Sequence, residues 1–130
     1  MSAHTVQIDA LPQYVADQSN PLQNIFAFAY TITVTNTGTV PVQLISRHWI
    51  IQDESGRTEE VKGLGVVGQQ PLLRPGESFQ YTSGCRLRAP SGTMHGSFFF
   101  VAEDGHRFDV NIATFVLESS DSALAGRTLH

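Results

Sequence analysis

The chain alternates apolar and polar residues with a period of two along most of its length. From Ile25 to Thr35, Phe26, Phe28, Tyr30, Ile32 and Val34 fall in one phase, with Ala27, Ala29, Thr31, Thr33 and Thr35 in the other. This alternation, rich in aromatic and β-branched types, predicts a strand with one buried face. Asn36-Thr37-Gly38 supplies the turn that ends it. A second strand is expected from Val42 to Asp53. There Ile45, Arg47, Trp49 and Ile51 share a phase, and Leu44, His48 and Ile50 occupy the other. Both faces are half apolar, which predicts a central strand. Glu54-Ser55-Gly56-Arg57 then reads as a tight connection into Thr58–Lys62.

Turn signals at Leu73-Arg74-Pro75-Gly76-Glu77 and Ala89-Pro90-Ser91-Gly92 bracket a strand over Ser78–Arg86. Met94–Glu103 and Arg107–Leu117 follow as a pair joined at Asp104-Gly105, a strong hairpin signal. In the last strand Phe108, Val110 and Ile112 share one phase, whereas Phe115 and Leu117 sit in the opposite one. A bulge near Ala113 or Thr114 would bring both sets to the same face. Val6–Ala16, interrupted by Pro12, reads as an edge strand. No segment has a helical period.

Seven or more strands separated by turns every ten residues or so predict an all-β fold. The expected architecture is an antiparallel β-sandwich of immunoglobulin or fibronectin type III-like type with about 7–10 strands. A small closed barrel is the alternative. Trp49 stands where an immunoglobulin-like sandwich often buries a tryptophan. Cys85 is the only cysteine, so no intrachain disulfide can lie beneath it, and the fibronectin type III-like variant is preferred. Residues 1–118 are expected to form one domain, with 119–130 as a polar tail.

Composition narrows the function classes. The 130 residues include eight Lys and Arg against twelve Asp and Glu, a formal charge of −4. Only 15% are charged and 41% are hydrophobic, a balance that excludes a disordered chain. The acidic excess argues against a nucleic-acid partner, because duplex affinity rests on basic neutralisation of phosphates. No apolar run approaches the roughly 18 residues of a membrane span. Met1–Ala10 lacks the pattern of a signal peptide, so a cytoplasmic location is expected.

Gly63-Leu64-Gly65-Val66-Val67-Gly68 matches the G-x-G-x-x-G spacing of dinucleotide-binding turns. That chemistry needs a following helix and an acidic residue about twenty positions on. Pro71 interrupts the first, and Arg86 and Arg88 stand where the second should be. A tightly packed connection is the preferred reading. The alternative is a phosphate or diphosphate held by the amides of Gly63, Gly65 and Gly68 with Lys62 and Arg74 alongside. Glu103, Asp104 and His106 cluster at one hairpin and could take Co²⁺ or Mg²⁺, although acidic hairpin tips commonly serve solubility. Asp53, Glu54, Glu59 and Glu60 form a second acidic patch of the same kind.

Catalysis has little support. Cys85 would be reactive only if Arg86 and Arg88 lowered its pKa, and a small strand residue is the preferred reading. Arg47 and His48 belong to opposite faces of one strand and cannot serve one site. No nucleophile elbow is present. No catalytic residue and no cofactor are therefore expected.

Longer stretches carry a family resemblance. Ser46-Arg47-His48-Trp49-Ile50-Ile51, Gly63 through Pro71, Leu73-Arg74-Pro75-Gly76-Glu77 and Phe79-Gln80-Tyr81-Thr82-Ser83-Gly84 resemble the bacterial ApaG family. Gly92-Thr93-Met94-His95-Gly96-Ser97-Phe98 and Phe108-Asp109-Val110-Asn111-Ile112 fit it too. The resemblance spans about Val6 to Leu117. Ala113 departs from it, where the family commonly has proline. The resemblance implies a fibronectin type III-like sandwich without enzymatic activity, associated with cobalt resistance and magnesium efflux. Related domains in eukaryotic F-box proteins and a polymerase-interacting protein look like protein-recognition modules. The expected function is thus a non-enzymatic binding module working through an unknown protein partner. Nucleotide or pyrophosphate binding by residues 63–68, or direct cation binding, is the alternative. The N-terminal edge strand and the aromatic run Phe98–Phe100 leave a homodimer open.

Overall fold

The computed structural model describes residues 3–119. Eight strands follow one another: β1 (Val6–Tyr14), β2 (Phe26–Asn36), β3 (Val42–Asp53), β4 (Thr58–Leu64), β5 (Leu72–Leu73), β6 (Ser78–Leu87), β7 (Ser91–Ala102) and β8 (Arg107–Glu118). Two short 3-10 turns, Ala16–Gln18 and Pro21–Gln23, link β1 to β2. The strands pair antiparallel in two sheets, β1-β2-β6 and β4-β3-β7-β8, with β5 added to one end of β3. The fold is the expected antiparallel sandwich. β1 lies at a sheet edge despite pairing along its full length, and Pro12 sits opposite Tyr30, where its missing N–H is harmless. Of the expected tail, only Ser119 falls among the described residues; it is 2% exposed and its amide donates to the Pro90 carbonyl.

Two bulges bring the apolar residues to one core. In β8, Ala113 and Thr114 together oppose His95, as the register moves from Phe115↔Met94 to Ile112↔Gly96. This is the bulge expected from the phase change, and Ile112 and Leu117 both reach the core because of it. The second bulge was not expected. In β3, Leu44 pairs with Phe100 but Ser46 pairs with Phe99, which leaves Ile45 extra. The phase inverts there, so Val42 and Leu44 face inward together with Trp49 and Ile51. Leu44 does not share a face with His48, contrary to the regular alternation. The half-apolar look of both phases comes from one buried face read across a bulge.

The core is held by aromatic contact between the sheets. Trp49, 2% exposed, lies 5.6 Å from the Tyr30 ring of the opposite sheet. It also meets Phe98 and Phe115 edge-on at 5.9 and 6.0 Å, the geometry that ring quadrupoles favour. Outside the core, β2 and β6 are joined by hydroxyl pairs such as Thr31–Thr82 at 2.8 Å and Thr35–Ser78 at 2.7 Å. The threonine phase of β2 therefore faces outward and pairs across strands.

Asn36 does more than end a strand. Its side chain is fully buried, donates to the carbonyls of Val40 and Leu73, and accepts the Gly38 amide. It ties the end of β2, the following turn and β5 together. Replacing a buried and fully satisfied side chain leaves its partners orphaned, at roughly 1–3 kcal/mol. Asn36→Ala is expected to lower unfolding free energy by about 2 kcal/mol, and Trp49→Ala by about 3–5 kcal/mol. Urea unfolding followed by fluorescence or circular dichroism measures both, and values under 1 kcal/mol would contradict these roles.

Candidate functional site

The outer face of the larger sheet carries a shallow groove of about 510 Å³. Strand register builds it in two rows. Lys62, His48 and Ser97 stand side by side on β4, β3 and β7, and Leu64, Ser46, Phe99 and Asp109 form the next row. Ser46 and His48 face outward together by the regular alternation that resumes after the bulge at Ile45. His48 Nε2 lies 2.5 Å from Glu60 Oε2, and Lys62 Nζ lies 3.9 Å from the same oxygen. The pairs are exposed and contribute little to stability. They orient a polar rim around the apolar Phe99 and Leu64.

Arg47 projects to the other side of β3, as the opposite-face reading required. Its Nη1 donates to the carbonyls of Leu64 and Gly65, each at 3.0 Å. Gly63 lies beneath the guanidinium, and a Cβ there would come within 2.8 Å of it. The glycines of the G-x-G-x-x-G stretch thus have structural work to do. Gly65 has φ +64, and a side chain would strike the Gln69 carbonyl. Its amide is engaged by the Ile45 carbonyl. Val67 and Gly68 form the centre of a tight turn closed by reciprocal bonds between Val66 and Gln69, both centres having positive φ. Val66 is fully buried and anchors the loop in the core. No helix follows.

The structure distributes the sequence-derived anion residues. Lys62 and Gly63 border the outer groove, Gly68 borders a separate cleft between the sheets, and Arg74 lines neither. The Arg74 amide is held by Glu77 Oε1 at 2.7 Å in the turn before β6. At the other hairpin, Asp104 Oδ1 accepts the His106 amide and Oδ2 lies 2.8 Å from His4 Nε2. The His106 amide and then the His4 ring hold the Asp104 carboxyl below the usual carboxylate range. His4 stacks on His106 at 4.1 Å, so this corner clips the N-terminal segment to the β7–β8 turn. Among the described residues, no three His, Cys, Asp or Glu side chains form a ligand set.

Other ionisable groups have structural explanations. Burial pushes the Cys85 thiol up to about 11, and the Glu59 charge adds to the shift. Arg86 and Arg88 do not activate it. Phe98 and Phe100 are fully buried, and of the aromatic run only Phe99 reaches the groove. Asp53 Oδ1 accepts from the Ser55 hydroxyl at 2.5 Å and from the amides of Ser55 and Arg57. The Ser55 hydroxyl is the main reason that the Asp53 carboxyl stays below its ordinary pKa.

The fold and the groove define an antiparallel β-sandwich with a grooved outer sheet face. The model of the ApaG domain matches residues 16–102. Protein ApaG of Acidovorax sp. (strain JS42) is 62% identical over 130 residues, covering 96% of this chain and 95% of that protein. Protein ApaG of Aromatoleum aromaticum is 54% identical over 114 residues, covering 88% and 90%. The crystal structure of a putative ApaA protein from Bordetella pertussis superimposes with a TM-score of 0.90 at 53% identity, covering 92% of this chain and 97% of that one. The chain belongs to the ApaG family.

The depressed Asp53 pKa has a definite sign. The folded value lies below the unfolded one, so its stabilisation is complete above the unfolded pKa and is lost as pH falls through the folded value. Asp53→Ala is expected to lower stability by roughly 1–2 kcal/mol at neutral pH. The difference from the parent should shrink as the pH drops below about 4. Unfolding midpoints of both chains between pH 7 and pH 2.5 test this, and a constant gap would exclude it.

Proposed function

We propose that the chain is a non-enzymatic binding module, acting in divalent-cation homeostasis by holding a cytoplasmic protein partner. The observation that carries this reading is the exposed apolar segment from the end of β4 to β5, of which Leu64 lines the outer groove. Leu64, Val67 and Leu72 are 75, 52 and 59% exposed, and they account for three of the six large exposed apolar side chains among the described residues. Exposed apolar side chains rimmed by charge are the usual composition of a protein contact surface. Here Glu60, Lys62 and Asp109 supply the rim.

The link to cobalt resistance and magnesium efflux rests on family membership. Among the described residues no helix is long and apolar enough to cross a membrane, and that favours an indirect role for this chain in ion movement. A nucleotide or diphosphate cradled by the Gly63, Gly65 and Gly68 amides together is less favoured, because the Gly65 amide is already bonded within the fold.

Complementation tests the reading. A strain lacking the gene should regain cobalt tolerance with the parent chain and fail to regain it with Leu64→Asp combined with Val67→Asp. Both side chains are exposed, so stability should change by less than about 1 kcal/mol, as a thermal melt would verify. Affinity capture should lose the same partner with the double variant. Full tolerance restored by a folded double variant would refute the proposal.

A further inference from the structure

The two sheets part on the side where β4 and β6 are edge strands, and residues 64–68 close the opening. Behind this segment lies a cleft of about 280 Å³. Tyr30, Tyr81 and Ser83 line it from the smaller sheet, and Arg47 and Trp49 from the larger. It meets the outer groove at Arg47 and Leu64, which line both, while Tyr30, Trp49, Tyr81 and Ser83 belong to the cleft alone.

One atom here is out of place in a protein interior. Tyr81 is 8% exposed, and its hydroxyl is buried with no hydrogen-bond partner among the described residues. Buried polar groups are nearly always bonded, and an orphan costs roughly 1–3 kcal/mol. The surrounding groups share one character. The Tyr30 phenol faces the Ser83 side chain in the cleft, and the Arg47 charge acts on both phenols. Arg47 uses Nη1 for the Leu64 and Gly65 carbonyls, which fixes the guanidinium and leaves Nε and Nη2 without acceptors among the described residues. The amides of Val67 and Gly68 take no part in the two bonds that close their turn. Val67 holds φ 44, a conformation that a β-branched residue adopts only under strain. No carboxylate lines the cleft. The site combines a fixed cation, an unused hydroxyl donor and apolar walls from Trp49 and Val67.

We propose that this cleft binds a small oxyanion, a phosphate or carboxylate group, received by the Tyr81 hydroxyl and the Arg47 guanidinium. A planar guanidinium presents paired N–H groups to two oxygens of such an anion. The Tyr81 hydroxyl donates to a third or bifurcated contact and is thereby satisfied. The volume lies below the roughly 300–1,000 Å³ of pockets that enclose drug-sized ligands, so a whole nucleotide is not enclosed. The oxyanion is inorganic phosphate or a short carboxylate. The cleft shares Leu64 and Val67 with the apolar segment of the partner-binding proposal, so the test reads it through Tyr81 and Arg47, whose substitution that proposal does not use.

Amide spectra of the labelled chain, titrated separately with inorganic phosphate and with acetate at constant ionic strength, test it. At least one anion should give saturable shifts centred on Arg47, Val67, Gly68, Tyr81 and Ser83, and comparing the two titrations identifies the preferred group. Tyr81→Phe should weaken binding about tenfold while its melting temperature stays equal or rises, because the orphan hydroxyl is removed. Arg47→Gln should abolish the shifts. If Arg47→Gln fails to fold, Tyr81→Phe alone decides. Three results would overturn the proposal: no saturable shift with either anion at tens of millimolar, shifts spread equally over Lys62, Arg86 and Arg88, or unchanged affinity in Tyr81→Phe.

Discussion

The sandwich depends on Trp49 meeting Tyr30 across the gap between the sheets. Antibody-type sandwiches pin that point with a disulfide, but a chain whose only cysteine is Cys85 must do so by packing. An indole buried among Tyr30, Phe98 and Phe115 supplies large apolar area and directional ring contacts. It draws on β2, β3, β7 and β8 at once. Each of those strands must therefore deliver its apolar residues to the same interior layer, and the irregularities of the fold follow from that demand.

Both bulges serve it. One extra residue at Ile45 and the pair Ala113-Thr114 each reverse the alternation of a strand partway along. Without the first, Val42 and Leu44 would face solvent while Trp49 faced the core. Beyond the first bulge regular alternation resumes, so with Trp49 inward Arg47 also faces inward and Ser46 and His48 face outward. The groove on the outer sheet and the cationic cleft within thus take alternate residues of the same stretch of β3.

The loop after β4 joins these surfaces. A side chain would crowd the Arg47 guanidinium at Gly63 and the Gln69 carbonyl at Gly65, Gly68 holds a positive φ, and Val66 plugs the core. Leu64 and Val67 are left on the surface, and the Leu64 and Gly65 carbonyls hold Arg47. The dinucleotide spacing of the glycines is accounted for by this architecture, with its strand, turn and short strand. One segment therefore carries the exposed apolar contacts, the closure of the sandwich and the fixing of its inward cation.

The strand content, the edge position of β1, the β8 bulge and the burial of Trp49 were all legible in the sequence. Periodicity and turn chemistry are local, and a phase change within an otherwise continuous strand announces its bulge. The bulge at Ile45 was not legible, because apolar residues occurred in both phases and a strand buried on both faces explained them equally well. Asn36 looked like a turn residue and proved to be a buried clasp, since its partners Val40 and Leu73 meet only when β5 joins β3. The inward cleft was equally hidden: Tyr30, Arg47, Tyr81 and Ser83 come from three strands of two sheets. Local patterning determined what each strand buries. Only the packing of one sheet on the other decided which polar groups were left facing each other, because that depends on register and closure between distant segments.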